Sequence, residues 1–92
     1  MALGEYKFNF PEYAMPTDLG RQAAKVIEEM CEVFMAICNN EGRDRVTEEL
    51  MDASASLEKC MRIIQDEGAD LETSKRQVIE KNRARGYYGG SE

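Results

Sequence analysis

Residues 26–57 read VIEEMCEVFMAICNNEGRDRVTEELMDASASL, and this stretch decides the fold. Apolar side chains recur at intervals of three and four on both sides of the central NNEG segment at 39–42, which is the spacing of amphipathic α-helices. The NNEG segment interrupts the pattern, because Asn and Gly favour helix ends and turns. A connection this short predicts that the two helices run antiparallel as a hairpin.

The whole chain is expected to be all-α, with an antiparallel helical hairpin followed by a third helix. The three helices are predicted at about residues 18 to 38 or 39, 44 to 66, and 70 to 84. Thr17 is the expected N-cap of the first helix. Gly68 and Gly86 are expected to end the second and third helices.

Two flanking segments complete the predicted organisation. Residues 1–16 form an N-terminal arm that is rich in aromatic side chains and interrupted by Pro11 and Pro16. Residues 17–85 form the helical domain, and residues 86–92 form a flexible tail.

The apolar pattern predicts which side of the first helix is buried. Its expected seam consists of Leu19, Ala23, Val26, Ile27, Met30, Phe34 and Ile37. A single domain of 92 residues has a thin core, and three helices leave much of their apolar surface uncovered. A homodimer or homotetramer that completes a larger bundle is therefore expected.

Composition narrows the classes of partner. The net charge of −6 and the pI of about 4.7 argue against a nucleic acid polymer or an anionic membrane. No apolar run approaches the roughly 18 residues of a membrane-spanning helix. The chain has no His and no CxxC pair, which argues against zinc, and three cysteines on helix faces fit reduced thiols in a cytoplasmic protein.

Two pairs of carboxylates are the main chemical signal. Glu29 and Glu32 lie about 60° apart on the first helix, and Glu49 and Asp52 repeat this spacing on the second. The first pair ends 10 residues before Gly42 and the second begins 7 residues after it. In an antiparallel hairpin the two pairs therefore lie at similar heights.

These four residues, Glu29, Glu32, Glu49 and Asp52, are called the carboxylate cluster below. Small or apolar neighbours on both helices favour an inward orientation, although either pair alone also fits an ordinary solvated helix face. Four converging carboxylates repel one another unless they are protonated or bind a metal. Few basic residues are expected near them, and hard oxygen ligands without His or Cys favour Mg²⁺ or Mn²⁺.

EEMCE at 28–32 matches the pattern EExxE, and ELMD at 49–52 matches ExxD. On consecutive helices, this ordered pair resembles the signature of the MazG-type all-α nucleoside triphosphate pyrophosphohydrolases, over about residues 17–85. The resemblance implies an Mg²⁺-dependent enzyme that cleaves a nucleoside triphosphate to the monophosphate and pyrophosphate. It implies that the carboxylate cluster holds the metal. Glu28 and Glu32 would be the catalytic residues that orient or deprotonate the attacking water.

The segment KNRARGYY at 81–88 also resembles the tails of small MazG-like proteins, which are often encoded by phages or prophages. The resemblance implies substrate-binding roles for Lys75, Asn82, Arg83 and Tyr87. The alternative is a basic helix end that complements the macrodipole, with aromatic side chains that pack subunits together. The chain departs from longer relatives in two ways: their fourth helix is absent or replaced by the tail, and there is no Trp for base stacking.

Two other functions remain open from the sequence. Phosphoribosyl-ATP pyrophosphohydrolase belongs to the same superfamily and has the same acid pattern. A non-catalytic helical protein-interaction module would use the apolar stripes to bind a partner and would need no metal.

Overall fold

The computed structural model describes residues 4–89 and contains three α-helices and no strand within this range. These are α1 (Leu19–Cys38), α2 (Arg43–Asp66) and α3 (Leu71–Ala84). The all-α class is confirmed, and each helix end lies within one residue of its predicted position. Residues 1–3 of the predicted arm and 90–92 of the predicted tail lie outside the described residues. No helix between residues 4 and 89 has both the length and the apolar character that crossing a membrane requires.

Side-chain caps begin α1 and α3. Asp18, rather than the predicted Thr17, is the N-cap of α1, since its carboxylate accepts a hydrogen bond of 2.8 Å from the backbone N–H of Arg21. Asp70 caps α3 in the same way and accepts from both the backbone N–H and the hydroxyl of Thr73. These hydrogen bonds lower the pKa of Asp70.

The turn between α1 and α2 depends on two residues with unusual backbone angles. Asn40 has φ 57°, a left-handed conformation that Asn tolerates. Gly42 has φ 97° and ψ 159°, a region that is essentially restricted to Gly. The chain reverses here, so α1 and α2 form the predicted antiparallel hairpin.

The contact between α1 and α2 is the only extensive helix–helix contact among residues 4–89. Its apolar part is small, because the buried apolar side chains in this range are Val33, Ala36 and Ala53. The buried amide of Gln22 donates a hydrogen bond of 3.0 Å to the backbone carbonyl of Ser56. Small side chains let the two helices approach closely, and this hydrogen bond fixes how they are aligned.

The predicted seam of α1 was wrong, because α1 packs on α2 through a different face. Ile27 and Phe34 are 66% and 64% exposed, whereas Val33 is buried. Phe34 lies about 100° around the helix from Val33. These exposed side chains line a shallow cavity of about 420 Å³. We call this surface the α1 apolar face, and it consists of Val26, Ile27, Met30, Cys31, Phe34 and Met35. A single chain leaves this surface uncovered.

The chain is extended for its length. Its radius of gyration is 15.8 Å, whereas a compact chain of this size has a radius of about 12 Å. The difference arises because α3 makes no extensive contact with α1 or α2. Residues 4–17 run across α2, where Glu58 binds the backbone of Asn9 and Phe10.

Candidate functional site: carboxylates along the helical hairpin

The hairpin encloses one acid from each predicted pair. Glu49 is only 5% exposed and shares the inner face of α2 with Ala53 and Ser56. The side chain of Glu29 is 12% exposed. Glu32 and Asp52 are exposed. The carboxylate cluster therefore has a buried half and a half that faces solvent.

The electrostatics of Glu49 show that the acids of both helices act on one another. Burial raises the pKa of Glu49, and the charges of Glu32, Asp52 and Glu29 raise it further. The charge of Arg45 lowers this pKa, but not enough to cancel the increase. Two of the three like charges belong to α1, which is consistent with acid pairs at similar heights along the hairpin.

Two cations accompany the buried acids, contrary to the expectation that few basic residues would lie near. Lys25 Nζ lies 3.4 Å from Glu29 Oε1, and Arg45 Nη2 lies 3.4 Å from Glu49 Oε2. The hydrogen bond to Glu29 and the nearby negative charges raise the pKa of Lys25. Each cation precedes its acid by four residues, and this spacing is the sequence signal that was missed.

Arg45 serves more than one acid. Its guanidinium also lies 3.7 Å from Glu41 Oε1 and 3.6 Å from Glu48 Oε1. Its side chain is 51% exposed, and that of Lys25 is 52% exposed. Their partners Glu29 and Glu49 are only 12% and 6% exposed, so removing either cation leaves a poorly solvated carboxylate unless another cation replaces it.

The carboxylate cluster is not a formed metal cage in the single chain. Between residues 4 and 89, no group of three or more His, Cys, Asp or Glu side chains is arranged to hold a metal ion. The chemistry of the donors nevertheless fits a hard dication, because all four are carboxylates and the innermost has a raised pKa.

Glu28, the other predicted catalytic residue, is exposed on α1. Its charge contributes to the raised pKa of Lys25. Glu28 therefore lies near the outer edge of the same acidic surface.

The predicted substrate-binding residues lie on α3 and in the segment that follows it. Lys75 pairs with Glu72 at 3.8 Å, and the amide of Asn82 donates to the hydroxyl of Tyr88. Arg83 and Tyr87 are exposed. Lys75 and Asn82 therefore pair with residues outside the carboxylate cluster.

Comparisons of this chain with family models, curated proteins and solved structures found no match.

We predict that Glu49→Gln changes how stability depends on pH. Because the pKa of Glu49 is raised in the folded state, the folded protein holds this proton more tightly than the unfolded chain does. The resulting stabilisation is complete at pH values below the ordinary Glu range, and it is lost as the pH rises through the folded-state pKa. The Tm of Glu49→Gln minus that of the wild type should therefore become more positive from about pH 4 to pH 7. Thermal unfolding monitored by circular dichroism measures this difference.

The matched control is Glu48→Gln, which removes the same charge from a neighbouring side chain that is 71% exposed. Its Tm difference should vary little over the same range. A Tm difference for Glu49→Gln that stays constant or becomes more negative would contradict the prediction.

Proposed function

We propose that this protein is an Mg²⁺-dependent nucleoside triphosphate pyrophosphohydrolase of the MazG-like type, with Mn²⁺ as a substitute metal. The observation that supports this most is Glu49, a buried carboxylate that three further carboxylates from two helices act upon. A group that opposes stability in this way is characteristic of binding and catalytic sites. The order of the EExxE and ExxD motifs on α1 and α2 supplies the reaction class.

Each acid has a role in this proposal. Glu29, Glu32, Glu49 and Asp52 hold the metal, which when bound supplies charge neutralisation and polarises a P–O bond of the triphosphate. Glu28 and Glu32 orient the attacking water, and one of them accepts its proton. The water oxygen bonds to the α-phosphorus, and the bond from that phosphorus to the bridging oxygen breaks. Pyrophosphate then leaves with the bonding electrons.

Lys25 and Arg45 have a second use in this scheme. Both are half exposed, and each pairs at 3.4 Å with a carboxylate that would turn to the metal. When the carboxylates turn toward a dication, these two cations are released at the rim of the site. There they can pair with phosphate oxygens, and Arg45 offers a planar group that suits bidentate contacts.

The proposal includes a homo-oligomer, either a dimer or a tetramer. The α1 apolar face exposes large side chains, including Ile27 and Phe34 at 66% and 64%, and such contiguous patches mark interaction surfaces. A second copy fits this surface because an isologous contact places the same apolar face on both sides. Assembly also offers a route for Lys75, Asn82, Arg83 and Tyr87 of one copy to approach the acids of another.

The cell compartment in this proposal is the cytoplasm. The three cysteines, Cys31, Cys38 and Cys60, are free thiols. Burial raises the pKa of Cys60, which keeps that thiol protonated and unreactive.

We expect Glu29→Gln and Asp52→Asn to lower pyrophosphate release by more than about 100-fold, since losing even an outer-shell partner of a metal costs up to that much. A panel of nucleoside triphosphates with Mg²⁺ or Mn²⁺ provides the assay. Asp66→Asn, at the exposed end of α2, is the control and should retain activity. Full turnover in both site variants, or in excess EDTA, would refute the assignment.

We expect Phe34→Asp to convert the oligomer to a monomer, because it places a charge in the centre of the α1 apolar face. Sedimentation equilibrium over a range of protein concentrations measures the change. Met15→Asp is the control, because Met15 is 75% exposed but lies on the arm, outside this face. A wild-type protein that stays monomeric at high concentration would contradict the proposed assembly.

The second candidate function is a non-catalytic interaction module, which is favoured by the observation that Lys25 and Arg45 already pair with the buried acids. In that case the acids need no metal and the α1 apolar face binds another protein. Both candidate functions use the α1 apolar face as a contact surface, so that surface does not distinguish them. They differ in whether the carboxylate cluster responds to metal.

The two candidates are separated by a thermal-shift titration. If the cluster binds Mg²⁺, a concentration 100 times Kd stabilises the fold by about 2.7 kcal/mol, which raises Tm by on the order of 10 °C in a domain of this size. Asp52→Asn should lose most of this increase, whereas Asp66→Asn should keep it. The absence of any shift at millimolar Mg²⁺, with and without nucleotide, would favour the interaction module.

A further inference from the structure

A second buried carboxylate lies outside the proposed site. Glu58 is 6% exposed and lies about 180° around α2 from Glu49, on the side that faces away from α1. Both of its oxygens accept hydrogen bonds from the backbone N–H of Asn9, at 3.0 and 2.9 Å. The backbone N–H of Phe10 and the side-chain amide of Asn9 donate to it at 2.9 and 3.1 Å. Glu58 therefore holds two consecutive backbone N–H groups of the arm.

Two cationic side chains on the same side of α2, Lys59 and Arg62, also bind the arm. Arg62 Nη2 donates to the carbonyl of Phe10 at 2.6 Å, and its guanidinium lies 4.1 Å from the ring centroid of Phe8. Lys59 donates to the carbonyl of Met15, and its ammonium lies 4.9 Å from the ring centroid of Tyr13. Hydrogen bonds donated by a charged group are stronger than those between neutral groups, and the two cation–π contacts add further attraction.

The other end of the arm lies against α3. Tyr6 stacks edge-on with Phe8, with ring centroids 5.0 Å apart, and the ammonium of Lys75 lies 5.7 Å from the Tyr6 ring centroid. Tyr6 also lines a cavity of about 340 Å³ together with Met61 and the apolar residues Leu71, Val78 and Ile79 of α3. The arm therefore spans from α2 to α3.

Between residues 4 and 89, α3 packs little on the other helices. It makes no extensive contact with α1 or α2. Its covalent link to α2 is a short turn at residues 67–70 in which Gly68 has φ 104°. A helix on such a link keeps a fixed direction only if another part of the chain holds it.

We propose that residues 4–17 act as a strap that fixes α3 relative to the helical hairpin, with Glu58 as the positioning residue that anchors the strap and Tyr6 as its contact with α3. Glu58 acts on α3 only through the strap. Breaking the hydrogen bonds of Glu58 should therefore free both the strap and α3. Removing the Tyr6 ring frees α3 alone. The strap does not depend on the proposed activity.

Hydrogen–deuterium exchange of the protein comprising residues 1–92, without substrate, tests the strap. Glu58→Gln presents amide hydrogens to N–H donors, so exchange at Asn9 and Phe10 should become at least about tenfold faster, together with faster exchange over Leu71–Ala84. Tyr6→Ala should accelerate exchange in α3 but leave Asn9 and Phe10 protected. Glu67→Gln, an exposed position just after α2, is the control and should change neither segment.

Unchanged exchange of α3 in Tyr6→Ala, or in Glu58→Gln when Asn9 and Phe10 have become unprotected, would overturn the proposal. If Glu58→Gln also unfolds the hairpin, Tyr6→Ala decides the result by itself.

A kinetic test rests on the proposed function, because it assumes that Lys75 and Asn82 of α3 bind the substrate. Tyr6→Ala should then raise KM severalfold with little change in kcat. A fall in kcat at constant KM would contradict the positioning role. If no pyrophosphate is released by any variant, the enzyme assignment fails, while the exchange experiment still decides whether the strap exists.

Discussion

The candidate site depends on the burial of Glu49 between two helices that touch mainly through small side chains. Val33, Ala36 and Ala53 bring α1 and α2 close together, and this closeness removes water from the carboxylate. Arg45 compensates for only part of the cost, so the pKa of Glu49 stays raised. The hairpin thereby keeps one charged group in a state that a dication would stabilise.

One side of α1 is acidic and another is apolar, and these two surfaces are separated by the contact with α2. The acids lie on one flank of the contact with α2, and the α1 apolar face lies on the other. An assembly that covers the apolar side leaves the acidic side open to solvent. In the proposed oligomeric enzyme, substrate access and subunit contact would therefore not compete for the same surface.

Helix positions were predictable because they depend on local signals. The NNEG break and Gly68 and Gly86 set the helix ends to within one residue, since Gly and Asn accept backbone angles that other residues avoid. The choice of Asp18 over Thr17 as N-cap was not predicted, because both residue types are strong caps. Only the path of the chain distinguishes them.

The buried face of α1 and the role of Glu58 could not be predicted from periodicity. The apolar stripe shows that one face avoids water, but it does not show whether the same chain or another one covers it. Here Gln22, Glu29, Val33 and Ala36 face α2 instead of the larger apolar residues. Glu58 was missed because its partners are 48 and 49 residues away in the chain, and such pairs leave no local pattern.

The hydrogen bond between Gln22 and the carbonyl of Ser56 has a consequence for the alignment of the carboxylates. Sliding α1 past α2 by one turn, about 5.4 Å, would leave a buried amide without an acceptor and would also separate Glu29 and Glu32 from Glu49 and Asp52. The hydrogen bond that opposes this one-turn shift therefore also keeps the acids of the two helices at the same height along the hairpin.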